Sequence, residues 1–117
     1  MKISHQLHSG IAVLSLDGDF MGELDRSELA SSVQNLLAGG SKQFIVDLRG
    51  VHHINSCGLG SLVSTLTTLR KVGGNLLLAC ANPGVHNLFE MTRLVKVFDF
   101  HHTVEEALQG CRTTQAK

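Results

Sequence analysis

The chain has 117 residues, 43% hydrophobic and 17% charged, which is enough for one domain with a real core and ordinary for a soluble globular protein. Ten basic residues balance ten acidic ones, and Trp and Tyr are absent, so neither charge nor an aromatic platform supports a nucleic-acid partner. No apolar run reaches bilayer length and no signal peptide is evident, while Cys57, Cys80 and Cys111 are odd in number without CxxC spacing; membrane insertion and a disulfide framework are set aside, and a reducing cytoplasm is expected.

Ile3, His5 and Leu7 alternate with Lys2, Ser4 and Gln6, the two-residue period of a half-buried strand. Ser9-Gly10 reads as a tight turn into a second strand over 11–16, so the chain opens with an antiparallel hairpin. Asp17-Gly18-Asp19 breaks the pattern, and a loop through Gly22 leads to a helix. Asp25 followed by Glu28 fits a capping box there, with Leu29, Val33, Leu36 and Leu37 as the buried stripe and Gly39-Gly40 as the stop.

The next stretch, Gln43 to Gly74, organises the rest. Phe44 to Leu48 reads as a buried strand, a polar turn follows, and an amphipathic helix starts near Ser56. Leu59, Leu62, Val63, Leu66 and Leu69 share one face of that helix, while Ser61, Ser64, Thr67, Thr68, Arg70 and Lys71 take the other. A further strand is expected over 75–81. Asn82-Pro83 starts a short helix with Val85, Leu88 and Phe89 inward, and Val97 to Phe100 is a last strand. Thr103 with Glu106 caps a final helix that Gly110 closes, leaving 112–117 as a frayed polar tail behind a single domain over 1–111. The order β-β-α-β-α-β-α-β-α implies an α/β domain with a largely parallel sheet and one antiparallel strand at its start.

Chemistry concentrates where strand becomes helix, at Asn55-Ser56-Cys57-Gly58-Leu59-Gly60. Helix starts carry unpaired N–H groups and favour negative charge. Cys57 as a nucleophile would gain from that field, but no companion motif supports it, and a small residue filling a helix start is the better account. His52-His53 and His101-His102 suggest a metal, yet adjacent residues on an extended segment point apart and make a poor chelate. Gly58-Leu59-Gly60 begins a dinucleotide fingerprint that Val63 breaks, so no cofactor is implied. Ser56 reads either as a helix cap or as a phosphosite; a phosphate there is tolerated by the helix, and its effect would fall on a docking partner.

The run Phe44-Ile-Val-Asp-Leu-Arg-Gly-Val-His-His-Ile-Asn-Ser-Cys-Gly-Leu-Gly60 resembles the signature of the STAS family, the sulfate-transporter and anti-sigma-factor-antagonist domains. Gly18-Asp19, Gly73-Gly74, Pro83 with Val85, Leu88 and Phe89, and Val104-Glu-Glu-Ala107 agree with it. The resemblance implies a STAS-like mixed sheet flanked by about four helices and a non-enzymatic, bacterial partner-switching role. There an unphosphorylated antagonist binds an anti-sigma factor that is also a GHKL-type serine kinase, and phosphorylation at the start of the second helix releases it, so that transcription is regulated. The implied partner surface is Asp19, Gly22, Asp25, Asn55, Ser56, Cys57, Gly58, Leu59 and the outward Ser61. The family's phosphoserine is the second of a serine pair, and Cys57 stands there; Ser56 matches the first. Three consequences are open: constitutive binding, phosphorylation of Ser56, or redox-sensitive binding. A scaffold or regulatory subunit of a larger signalling or transport assembly is the alternative role. Oligomeric state is left open.

Overall fold

Strands β1 (Lys2–His8) and β2 (Ile11–Asp17) form an antiparallel hairpin, and β3 (Gln43–Gly50), β4 (Asn75–Ala79) and β5 (Asp99–His101) extend it in parallel, giving one sheet in the order β1-β2-β3-β4-β5. The computed structural model describes residues 2–115, the last four by their backbone alone. Helices α1 (Glu23–Ala38), α2 (Ser56–Lys71) and α3 (Pro83–Met91) pack on one face, and α4 (Val104–Gln115) covers the other. The expected element order and mixed sheet are therefore present.

Strand alternation builds two cores. Leu14, Leu16, Phe44, Val46, Leu76 and Leu78 point into the larger one beneath α1, α2 and α3, and Ile11, Val13, Ile45, Leu77 and Ala79 meet Ala107, Leu108 and Cys111 of α4 on the opposite side. The central strands are apolar on both faces because both are covered. The opening turn works as its residues suggest: Ser9 and Gly10 both take positive φ, 54° and 84°, the geometry that matches the twist of a two-residue hairpin.

Several expectations need correction. β1 is not half-buried: only Ile3 and His8 are partly covered, and Leu7 is 57% exposed, because α1 reaches this edge strand only beside Ile3. β4 ends at Ala79, where Cys80 turns the chain with φ +63°. Val97 belongs to the exit of a 3₁₀ turn (Leu94–Lys96), and the last strand starts at Asp99. Asp25 is not a cap but the third helical residue: α1 begins two residues earlier, after Gly22, and the Asp25 carboxylate reaches back to the N–H groups of Gly22 and Met21 at 3.2 and 3.1 Å. α4 runs through Gly110 to Gln115, so that glycine does not close it; its close contact with the His101 ring explains a small residue there. Of the expected tail, 112–115 are helical, and 116–117 lie outside the described residues, as does Met1.

Candidate functional site at the carboxyl ends of the strands

The loops that leave β2, β3 and β4 meet at one end of the sheet, and two asparagines hold them together. Asn55 caps α2 with its side-chain oxygen, which accepts from the Gly58 N–H at 3.1 Å, while its amide nitrogen donates to the Met21 carbonyl at 2.9 Å. Asn82 does the same for α3: its oxygen accepts from the Val85 N–H at 2.8 Å, and its nitrogen donates to the Val51 carbonyl at 3.1 Å. Each cap satisfies a helix start and fastens the neighbouring loop. Backbone bonds reinforce the arrangement, with the Phe20 N–H donating to His53 O at 2.9 Å and the Gly18 N–H to Gly50 O at 2.9 Å. Phe20 itself is fully buried and anchors the loop between β2 and α1 from below.

This lacing brings Asp19, Gly22 and Asp25 beside Asn55, Ser56 and Cys57. Ser56 occupies the first position of α2 and is exposed; Cys57 occupies the second and is half-buried. The Cys57 thiol points at Glu23, with Sγ 3.8 Å from Oε1. α2 has no acidic residue in its own first turn; Glu23 of α1 supplies the negative charge that a helix start favours. Asp19 carries an exposed contact to His53, 3.2 Å from Nδ1, with side-chain exposures of 51% and 74% that keep it weak. The Asp25 carboxyl is held below its usual pKa, chiefly by the Met21 N–H; partial burial opposes this, and the Gly22 N–H adds to the lowering.

Gly58 and Leu59 occupy the corner in a different sense from that expected. Leu59 is buried in the larger core, and Gly58 lies under the loop from β2: a Cβ there would collide with the Phe20 carbonyl oxygen and stand 2.6 Å from Ile54 Cγ1. Both shape the corner from below and present no side chain to a partner. Ser61 is a clear correction. It is 3% exposed, because α1 covers that flank of α2, and its neighbour Thr65 is buried with the hydroxyl donating to the Ser61 carbonyl at 2.9 Å. Small polar residues at a helix–helix seam look like a solvated face in a sequence.

Not singled out from sequence are Glu23 and an adjoining groove of about 400 Å3 lined by Met21, Ile54, Val85 and Leu88 together with His52 and His53, which the sequence offered only as a metal pair. Glu23 and Met21 lie within the 19–25 loop but carry no motif. α3's share of the groove depends on a strand crossover and leaves no local signal. His101 and His102 sit on the far side of α3, and no cluster of three metal-ligating side chains occurs among the described residues. The three cysteines are free thiols. No helix among the described residues is long and apolar enough to cross a membrane.

Residues 2–107 match the family model of the STAS domain. The chain belongs to the STAS domain family. An anti-sigma F factor antagonist from Paenibacillus polymyxa is 22% identical to this STAS domain over 111 residues, 92% of each chain. The crystal structure of an anti-sigma factor antagonist from Mycobacterium paratuberculosis, 23% identical, superposes with a TM-score of 0.83 over 95% of this chain and 93% of that one. The antagonist SpoIIAA in its unphosphorylated form is 18% identical, with a TM-score of 0.80 over 96% and 97% of the two chains. This STAS domain is therefore similar in sequence and in fold to anti-sigma factor antagonists.

Proposed function

We propose that this STAS domain is a non-enzymatic antagonist that docks on an anti-sigma factor of the GHKL serine-kinase type through the laced corner, and that it does so without the family's phosphorylation switch. The observation that carries the reading is the pairing at the start of α2: a half-buried cysteine in the second position, its thiol turned to Glu23, and an exposed serine in the first. A thiol is not a substrate for a serine kinase. The contact surface is formed by Asp19, Met21, Gly22, Glu23, Ser56 and the mouth of the Met21–Leu88 groove, with apolar Met21 45% exposed at its rim. The cytoplasm and transcriptional regulation follow from this reading.

A charge at position 57 would cost the fold little, because helix starts accept anions. Its effect would fall on the partner, which would have to desolvate it beside Glu23. The experiment is affinity capture with the purified chain and ATP in lysate of the source organism, run in parallel with Cys57→Asp and Cys57→Ser. A GHKL-type kinase recovered with the native chain, depleted by Cys57→Asp, and able to phosphorylate only the Cys57→Ser chain supports a constitutive antagonist. Equal capture by the native and Cys57→Asp chains moves the interface away from α2. Phosphate on native Ser56 restores the switch one residue earlier and removes the constitutive reading.

A further inference from the structure

The two edges of the sheet are not alike. β5 is three residues long and flanked by a 3₁₀ turn and α4. β1 is seven residues long and pairs with β2 in unbroken register from Lys2↔Asp17 to His8↔Ile11. Edge strands are ordinarily blunted by proline, bulges, charge or brevity. β1 has no proline and no bulge, and Lys2 is its one Lys, Arg, Asp or Glu. Five of its seven residues are exposed, among them Leu7. An open, regular edge of this kind presents unpaired backbone groups to another strand.

The order of its side chains identifies that strand. Ile3, His5 and Leu7 lie on the helix-covered face, opposite Leu16, Leu14 and Ala12 of the larger core; Lys2, Ser4, Gln6 and His8 lie on the other. If β1 pairs antiparallel with a second β1 about His5, Ile3 falls opposite Leu7 on one face, twice by symmetry. Ser4 falls opposite Gln6 on the other face, Lys2 opposite His8, and His5 opposite itself. Apolar meets apolar and polar meets polar at every position, and one-residue slips lose this, because they throw every side chain to the wrong face. Beside Ile3 an open groove of about 370 Å3, lined by Leu24, Ser27, Glu28 and Ser31 of α1, lies along the same edge, next to where Leu7 of the second copy would sit. We propose that β1 is an isologous interface: two copies of this chain join β1 to β1 about His5 into one ten-stranded sheet. The two-fold axis requires that each contact occur twice, and the laced corners, at the strand ends and not along the edge, stay open to partners.

The test is a charge exchange at the two-fold position, where residue 5 meets only itself. His5 is exposed, so Lys and Glu are accommodated by the monomer fold, which circular dichroism checks. Sedimentation equilibrium of the native chain is expected to show a monomer–dimer equilibrium. His5→Lys and His5→Glu alone should each weaken it by up to roughly fivefold, the scale of a charge pair directly across two strands, and an equimolar mixture of the two should recover native affinity or better. Leu7→Ser should weaken it independently by removing two apolar pairs. A native chain that stays monomeric up to about 1 mM, where only associations too weak to matter remain, overturns the proposal. So does a dimer indifferent to both charges, and so does a mixture that fails to recover, since recovery requires residue 5 to face residue 5.

Discussion

Gly58→Ala isolates the physical basis of the corner, because Gly60, two residues on in the same helix, provides an internal control. At Gly60 a Cβ would meet nothing within 4 Å; at Gly58 it would run into the Phe20 carbonyl oxygen, Ile54 Cγ1 at 2.6 Å and Ile54 Cδ1 at 3.2 Å. Alanine in place of glycine in a helix contributes about 0.8–1.0 kcal/mol, so Gly60→Ala should stabilise by up to about 1 kcal/mol. Gly58→Ala gains the same term and loses more. Overpacking of this kind costs about 1–3 kcal/mol. Moving the Phe20 backbone to relieve it strains two hydrogen bonds, Phe20 N–H to His53 O and Asn55 N–H to Phe20 O, each worth about 0.5–1.5 kcal/mol. The net is a destabilisation of about 1–4 kcal/mol, and the gap between the two variants is about 2–5 kcal/mol. Urea denaturation reads this directly, with an unchanged slope showing that the folded state stays compact. If Gly58→Ala is as stable as Gly60→Ala, the loop from β2 does not press on the start of α2, and the account of the corner is wrong.

Other outcomes can be checked with similar economy. Asn55→Ala removes the cap on the Gly58 N–H and the bond to Met21 O together, and should cost about 1–2 kcal/mol in thermal or chemical unfolding, whereas the same change at exposed Asn87 should be close to neutral. Asp25 has a folded-state pKa below its unfolded value, so its contribution is present above the ordinary carboxylate range and lost as pH falls through the folded value; Asp25→Asn should flatten part of the acid limb of a stability–pH curve, and an unchanged limb would contradict this. Burial pushes the Cys111 thiol up, so its contribution is full below the unfolded thiol value and lost as pH rises through the folded one; Cys111→Ala should reduce the alkaline fall in stability, and native Cys111 should alkylate far more slowly than Cys57.

The α/β order, the hairpin turn, the start of α2 and the Asn82-Pro83 cap were legible because each depends on residues close in sequence. The misreadings have a common cause in what lies across space. β1 has the alternation of a half-buried strand, but burial needs a covering layer, and α1 meets this strand beside Ile3 and leaves His5 and Leu7 open. Ser61 and Thr65 are polar enough for solvent and small enough for a helix seam; only the placement of α1 decides between the two. Asp25 with Glu28 satisfies a capping pattern at one residue, while the buried Phe20 anchors the chain so that the helix begins earlier and Asp25 serves from inside the first turn. Gly110 has the composition of a helix stop, and its small size serves contact with His101 within the helix.

If docking at the corner is as proposed, a single added charge would control binding without altering the fold. Its parts are held by groups that point inward: the two cap asparagines, the Phe20 ring, the Gly58 backbone and Leu59. What faces outward is Ser56, the partly covered thiol of Cys57, and the carboxylates of Asp19 and Glu23. A phosphate or carboxylate added at position 56 or 57 therefore meets a rigid platform with a helix start beneath it, and has little reason to distort that platform. It does stand beside Glu23, so a docking partner must bury two neighbouring negative charges or leave. Glu23→Gln is then expected to lessen the effect of Cys57→Asp on partner affinity, with the double variant compared against Glu23→Gln alone. Equal losses in the presence and absence of the Glu23 charge would mean that shape, and not charge density at the start of α2, decides docking.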